Sequence, residues 1–127
     1  MFLSRRATQA EYFDHRDRPE IEIAEFFAAL ARVNRLFVFA EPFQQLLPRL
    51  LGAGPCRSLS LLDLGAGDGS LGNFLTQWAA RQNWSWRFTN LDISPAALRL
   101  NPGGRNVAAS ALALPFADAS FDVVIAL

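Results

Sequence analysis

Leu61-Leu62-Asp63-Leu64-Gly65-Ala66-Gly67-Asp68-Gly69, running on into Ser70-Leu71-Gly72, is the stretch whose reading decides the fold. A short apolar run, Leu59 to Leu64, reads as a strand with a carboxylate, Asp63, near its end. Three glycines at alternate positions follow, and then a helix from Ser70 to about Gln82 with Leu71, Phe74, Leu75 and Trp78 on one side. Glycine suits a bend where a ligand comes close to bare backbone, because a side chain there would block it. The helix start beyond offers free N–H groups and the positive end of the helix dipole.

Outward from this loop the pattern repeats. Trp86 to Leu91 reads as a second strand, and Ser94 to Leu100 as a short helix that Ser94 caps and Pro95 opens. Asn101-Pro102-Gly103-Gly104 is a turn, Asn106 to Ala109 a weak third strand, and Phe121 to Leu127 a fourth. The continuous run Val123-Val124-Ile125 predicts a strand buried on both faces. Before the loop lie two helices. Ile21 to about Phe39 carries Ile23, Phe26, Phe27, Leu30, Val33 and Phe37 at three- and four-residue spacing, a stripe expected to pack on a core. The second starts at Glu41-Pro42, carries Phe43, Leu46, Leu47, Leu50 and Leu51, and is expected to kink or divide at Pro48. Alternation of strands and helices predicts an α/β, Rossmann-like parallel sheet with helices on its faces. The expected division is a polar arm and helical cap over residues 1–55 and a ligand-binding half-domain over 56–127. The sequence stops within the fourth apolar run, so the fold is expected to be incomplete at its C-terminus. An exposed fourth strand is then a site of self-association and marginal stability.

Which ligand the loop fits is a question of charge. Gly67-Asp68-Gly69-Ser70-Leu71-Gly72 satisfies the GxGxxG dinucleotide pattern. Two features oppose that reading. In the dinucleotide pattern glycine follows the strand directly, whereas Asp63, Leu64 and Gly65 intervene here. Asp63 and Asp68 also set carboxylates beside the loop, and two like charges about 4 Å apart repel by roughly 1 kcal/mol in water and about 4 kcal/mol at an effective dielectric near 20. A diphosphate is disfavoured, and a ligand bearing an ammonium and a sulfonium is attracted. Asp92 ends the second strand, placed to accept both ribose hydroxyls of an adenosine. That role does not separate one adenosine cofactor from another, and Asp92 as a turn residue before the Ser94 cap is the plainer alternative. Ile93 is placed to pack against an adenine.

A third element is Ser110-Ala111-Leu112-Ala113-Leu114-Pro115-Phe116, leading to Ser120-Phe121-Asp122-Val123-Val124. Together with Asp63 to Gly69 and Leu91-Asp92-Ile93-Ser94, it resembles the class I S-adenosylmethionine (SAM) dependent methyltransferases over roughly Leu59 to Leu127. The nearest likeness is to those acting on small-molecule, quinone-like or lipid-like acceptors. The resemblance implies that Asp63 and the backbone at Gly65, Ala66 and Gly67 hold the methionine end of SAM. It implies that Asp92 takes the ribose, that Ile93 lies on the adenine, and that Ser110, Ala111 and Leu112 read the adenine edge. Many such enzymes carry an acidic residue where Ser110 stands, so the bond here is a neutral and weaker one. The resemblance places Ala126 and Leu127 at the border of the methyl-transfer site, and makes Tyr12, Phe13 and His15 candidates for closing it. Three functions follow: a methyltransferase with a small-molecule methyl acceptor, a non-catalytic SAM-binding fragment, or an NAD(P)-binding Rossmann domain.

Composition trims the remaining possibilities. Twelve basic residues balance twelve acidic ones, which gives no electrostatic footprint for nucleic acid or an anionic membrane. Apolar runs stay short of the roughly 18 residues of a membrane span, and Met1 to Arg6 is not followed by the apolar stretch of a signal peptide. The lone cysteine, Cys56, excludes an intrachain disulfide and suits a cytoplasmic setting. One histidine, His15, and one cysteine are too few for the usual metal-ligand sets. The sequence names no general base.

Overall fold

Ser58–Leu64 (β1), Ser85–Asp92 (β2), Arg105–Ala108 (β3) and Val123–Ala126 (β4) form one sheet with neighbours in the order β3-β2-β1-β4, every pair parallel. Helices Glu20–Phe37 (α1) and Glu41–Leu51 (α2) precede it, and Ser70–Arg81 (α3) and Pro95–Leu98 (α4) connect its strands. The computed structural model describes residues 19–37, 40–52, 54, 57–102 and 104–127. Tyr12, Phe13, His15 and Cys56, each singled out by the sequence, lie outside the described residues.

The topology positions the site. The chain steps from β1 to β2 to β3 in one direction, and then crosses back over β2 and β1 to place β4 on the far side of β1. Crossovers between parallel strands are almost always right-handed, so α3 and α4 cover one face and the return segment passes over the other. The reversal opens a crevice beyond the carboxyl ends of β1 and β4, where open α/β sheets bind ligands.

The α3 face holds the main core. Leu59 and Leu61 of β1, Trp86 and Phe88 of β2 and Ile125 of β4 pack with Leu75 and Ala79 of α3 and Leu47 of α2. Leu61, Leu75 and Ala79 are fully buried. At the amino end of β2 three tryptophans meet. Trp84 stacks on Trp86 with centroids 6.0 Å apart, and Trp78 meets the two edge-on at 5.7 and 5.4 Å. Truncating a buried aromatic of this size costs about 3–5 kcal/mol, so this cluster is a principal anchor of the fold.

Several expectations change on contact with the structure. β4 is buried on one face only: Ile125 is 6% exposed and Val124 53%. The reason is position, because β4 is an edge strand and Val124 lies on the face away from α3. Pro48 does not divide α2. The helix continues to Leu51, and Gly52 closes it by donating to the Pro48 carbonyl. Phe43, Leu47 and Leu51 face the core while Leu46 and Leu50 stay exposed. α4 is a single turn, shorter than expected, but Ser94 caps it as anticipated, its Oγ accepting from Ala97 N–H at 3.2 Å. Phe74, expected on the buried side of α3, is half-exposed, and its place is taken by Ala79.

The start of β4 is tied to β1 by a reciprocal set of bonds. Asp122 Oδ2 accepts from Ser60 N–H and from Ser60 Oγ–H, each at 2.7 Å, and Asp122 N–H donates to the Ser60 carbonyl at 2.9 Å. The Ser60 backbone N–H, and then its hydroxyl, hold the Asp122 carboxyl below the usual carboxylate range. A depressed acid stabilises the fold above its unfolded value of 3.8, and that contribution is lost as pH falls through the folded value. Asp122→Ala is therefore expected to lower the unfolding midpoint at neutral pH and to speed amide exchange in β4. The gap to wild type should narrow in melts below pH 3.8, and a gap independent of pH would contradict this account.

Candidate functional site

The glycine loop leaves β1 at Leu64 and turns on three residues with positive φ: Gly65 at 76°, Gly67 at 56° and Gly69 at 69°. This backbone region is open to glycine at little cost. The three glycines serve different neighbours. At Gly65 the space a side chain would fill is empty. At Gly67 it is filled by the ring of Phe27 from α1, and at Gly69 by the side-chain amides of Asn101 and Asn90. The side of Gly65 is open, whereas those of Gly67 and Gly69 are covered by side chains from other segments.

The loop's N–H groups are already committed. Gly65 and Ala66 both donate to the Leu91 carbonyl, at 2.8 and 3.1 Å, and Gly69 donates to the Ala66 carbonyl at 2.9 Å. Gly67 donates to Asp92 Oδ2 at 2.8 Å. A diphosphate needs such donors pointed outward. Here the N–H groups of Gly65, Ala66, Gly67 and Gly69 bond within the protein, and the carboxylates of Asp63 and Asp92 lie beside them.

Asp92 organises the site. Its other oxygen, Oδ1, accepts from Ser94 N–H at 2.8 Å, so one side chain at the end of β2 joins the loop to the cap of α4. It is both the turn residue of the plainer reading and a carboxylate at the crevice. Asp68 does something different: its Oδ1 accepts from Ser70 N–H at 3.0 Å, opening α3. Asp63 lies in β1 in register with Asn90 on one side and Ile125 on the other, and it is only 2% exposed. Burial first, and then the nearby charge of Asp92, push its pKa up to about 6.

Asparagines hold the loop from behind. Asn90 Nδ2 donates to Asn106 Oδ1 at 3.0 Å, and Asn106 Nδ2 donates to the carbonyls of Leu98 at 3.1 Å and Asn101 at 2.7 Å. Asn90 Oδ1 also lies against Gly72 of α3, where a methyl group would crowd it and the Phe88 ring at 3.0–3.2 Å.

The remaining predicted residues gather at the ends of β2 and β3. Ala109 N–H donates to the Asp92 carbonyl at 3.0 Å, which brings Ser110 to the side of Ile93. Ile93 is 44% exposed, an apolar surface free to take a flat ring. Ser110 Oγ accepts from Leu112 N–H at 3.1 Å and the Ser110 carbonyl from Ala113 N–H at 3.0 Å, so Ala111 and Leu112 form a turn with the Leu112 side chain exposed. The Leu112 N–H is thus spent on Ser110. Asp63, Gly65, Ala66, Gly67 and Asp92 form one cluster around the loop, and Ile93 with Ser110 to Leu112 forms its rim. Phe27 was missed. Its spacing on α1 is that of any core-facing residue, and nothing in the sequence marks its contact with Gly67.

Comparison with known proteins agrees with this geometry. The family model described as "Methyltransferase domain" matches residues 62–127, which takes in the glycine loop, Asp92 and the segment after β3. A search of curated proteins found no match. With a parallel sheet of this order, a carboxylate-flanked loop at its switch point and a family match over half its length, the chain belongs to the class I SAM-dependent methyltransferases.

Proposed function

We propose that this chain binds SAM at the crevice between the glycine loop and Asp92, and transfers its methyl group to a small-molecule acceptor, of the quinone-like or lipid-like kind that the sequence resemblance suggests. The observation that carries this reading is the inward commitment of the N–H groups of Gly65, Ala66, Gly67 and Gly69 beside a buried carboxylate, Asp63. Such a bend attracts a cation and repels a diphosphate, which disfavours NAD(P). The donor chemistry fits SAM: Asp63 and the backbone at Gly65, Ala66 and Gly67 would hold the methionine end, Asp92 the ribose hydroxyls, Ile93 the adenine face, and the turn Ser110-Ala111-Leu112 the adenine edge.

When bound, SAM supplies a methyl group made electrophilic by its sulfonium. The chain's own part is positioning, which can lower a barrier by roughly 7–11 kcal/mol. Asp92 keeps the loop and α4 in fixed relation, and the Asn90–Asn106 pair ties β2 to β3. We place the division of labour at residue 55, with residues 1–55 as arm and cap and 56–127 as the SAM-binding half. The single cysteine supports a cytoplasmic setting.

Isothermal titration should show binding of SAM and of S-adenosylhomocysteine and none of NAD or NADH. Binding of a dinucleotide with SAM excluded would overturn the assignment. Asp63 adds a pH signature. Its ionised form is the one that attracts an ammonium, and that form accumulates as pH rises through about 6. Affinity for S-adenosylhomocysteine should therefore fall roughly tenfold from pH 7.5 to pH 5, and Asp63→Asn should bind weakly at both. The sign for stability is opposite. An acid whose folded pKa is raised from 3.8 to about 6 favours the fold below 3.8, and that contribution is lost as pH rises through 6. Asp63→Asn should then stabilise the ligand-free protein at pH 7.5 by on the order of 2–3 kcal/mol, with a smaller gain at pH 4. Denaturant melts at the two pH values check it.

A further inference from the structure

Phe27 lies on α1 with the edge of its ring against Gly67, while its neighbour Phe26 meets it edge-to-face at 5.3 Å. We infer that Phe27 is a gate on the cofactor site: in the ligand-free chain it occupies the side of Gly67 that a bound methionine end requires, and it has to leave before the site can load. The inference rests on the SAM-binding reading above and adds to it a control of access.

Two observations carry it. First, of the loop glycines only Gly65 has an open side. The space beside Gly67 is filled by a side chain from another element, far away in sequence, that closes no turn and makes no hydrogen bond to the loop. Gly67 is buried as a result, although it stands in a loop at the mouth of a crevice. Second, the described side chains of α1 are mostly open to solvent. Among its described side chains only Ile23 is buried, at 6% exposure, while Ile21, Phe26, Leu30 and Val33 are each more than a third exposed. α1 rests on α4, and the pair is pinned by an ion pair between Glu20 and Arg99 whose side chains are 75% and 60% exposed. An ion pair so open to solvent contributes about 0–1 kcal/mol and is weakened by salt. An element with few buried contacts opens at small free-energy cost, as a gate must.

A closed gate lowers apparent affinity by the fraction of molecules that are open. The test compares the wild-type chain with Phe27→Ala, Phe27→Leu and Glu20→Gln, each checked for native circular dichroism. Titration gives the affinity for S-adenosylhomocysteine and stopped-flow mixing gives its association rate. Phe27→Ala should raise the association rate by about fivefold or more and tighten binding by a similar factor. Phe27→Leu, which keeps the helix apolar and folded, should fall between. Glu20→Gln should give about a twofold rise, and raising salt should speed loading of the wild type but not of Glu20→Gln. Slower loading or weaker binding in both Phe27 variants would overturn the gate, since the ring would then be gripping the ligand. Unchanged rates would overturn it as well. If no variant binds S-adenosylhomocysteine, the SAM-binding reading falls and the gate with it. Binding by Phe27→Ala alone, with an inert wild type, would support both.

Discussion

One carboxylate, Asp92, holds the working end of this molecule together. It stands at the last position of β2 and accepts from two backbone N–H groups that belong to different segments, Gly67 in the loop after β1 and Ser94 at the cap of α4. Hydrogen bonds to an ionised acceptor are about twice as strong as neutral ones, so these two fix the loop in spite of its three left-handed glycines. Asp63 lies buried close by, and its pKa is raised first by that burial and then by the charge of Asp92. One side chain thus orders the loop and adds to the negative charge around it.

This explains why the loop differs from a phosphate cradle built on similar glycines. A phosphate loop turns its N–H groups outward and leaves them unpaired until the anion arrives. Here Leu91, Asp92 and Ala66 take those hydrogens, and the unmet demand is for a cation near Asp63. The glycine spacing alone cannot tell the two apart, because both patterns need positive φ at similar positions. The neighbouring carboxylates can, and they were visible at Asp63 and Asp92 in the sequence, although Asp68 turns its carboxylate to the Ser70 N–H at the start of α3.

What was legible in the sequence was whatever depends on local pattern: strand and helix order, the Ser94 cap, the place of Asp63 and Asp92 at strand ends. What was hidden depends on which face of an element meets which other element. Val123-Val124-Ile125 reads as doubly buried, but an edge strand covered on one side needs only every second residue, and Val124 stays exposed. Pro48 reads as a break, yet the loss of one helix bond is tolerated in a helix anchored by Phe43, Leu47 and Leu51 on either side of it. The contacts of Gly67 with Phe27 and of Gly69 with Asn101 were hidden too, because these side chains come from segments that no local pattern connects. Partners brought together by topology leave no spacing to be read.

The sheet separates stability from function along its strands. At the amino ends stand the tryptophan cluster around Trp86 and the Ser60–Asp122 bonds, all satisfied and closely packed. At the carboxyl ends stand the left-handed glycines, a buried acid with a raised pKa, and two buried side-chain atoms without a partner among the described residues, Asn90 Oδ1 and Asn101 Nδ2. The buried acid and the unpaired atoms cost the fold free energy, an unpaired buried polar atom about 1–3 kcal/mol. Apolar residues of similar size would remove that cost. These features are concentrated at the switch-point end of the sheet, and the packed tryptophan cluster at the amino ends is what allows the fold to carry them.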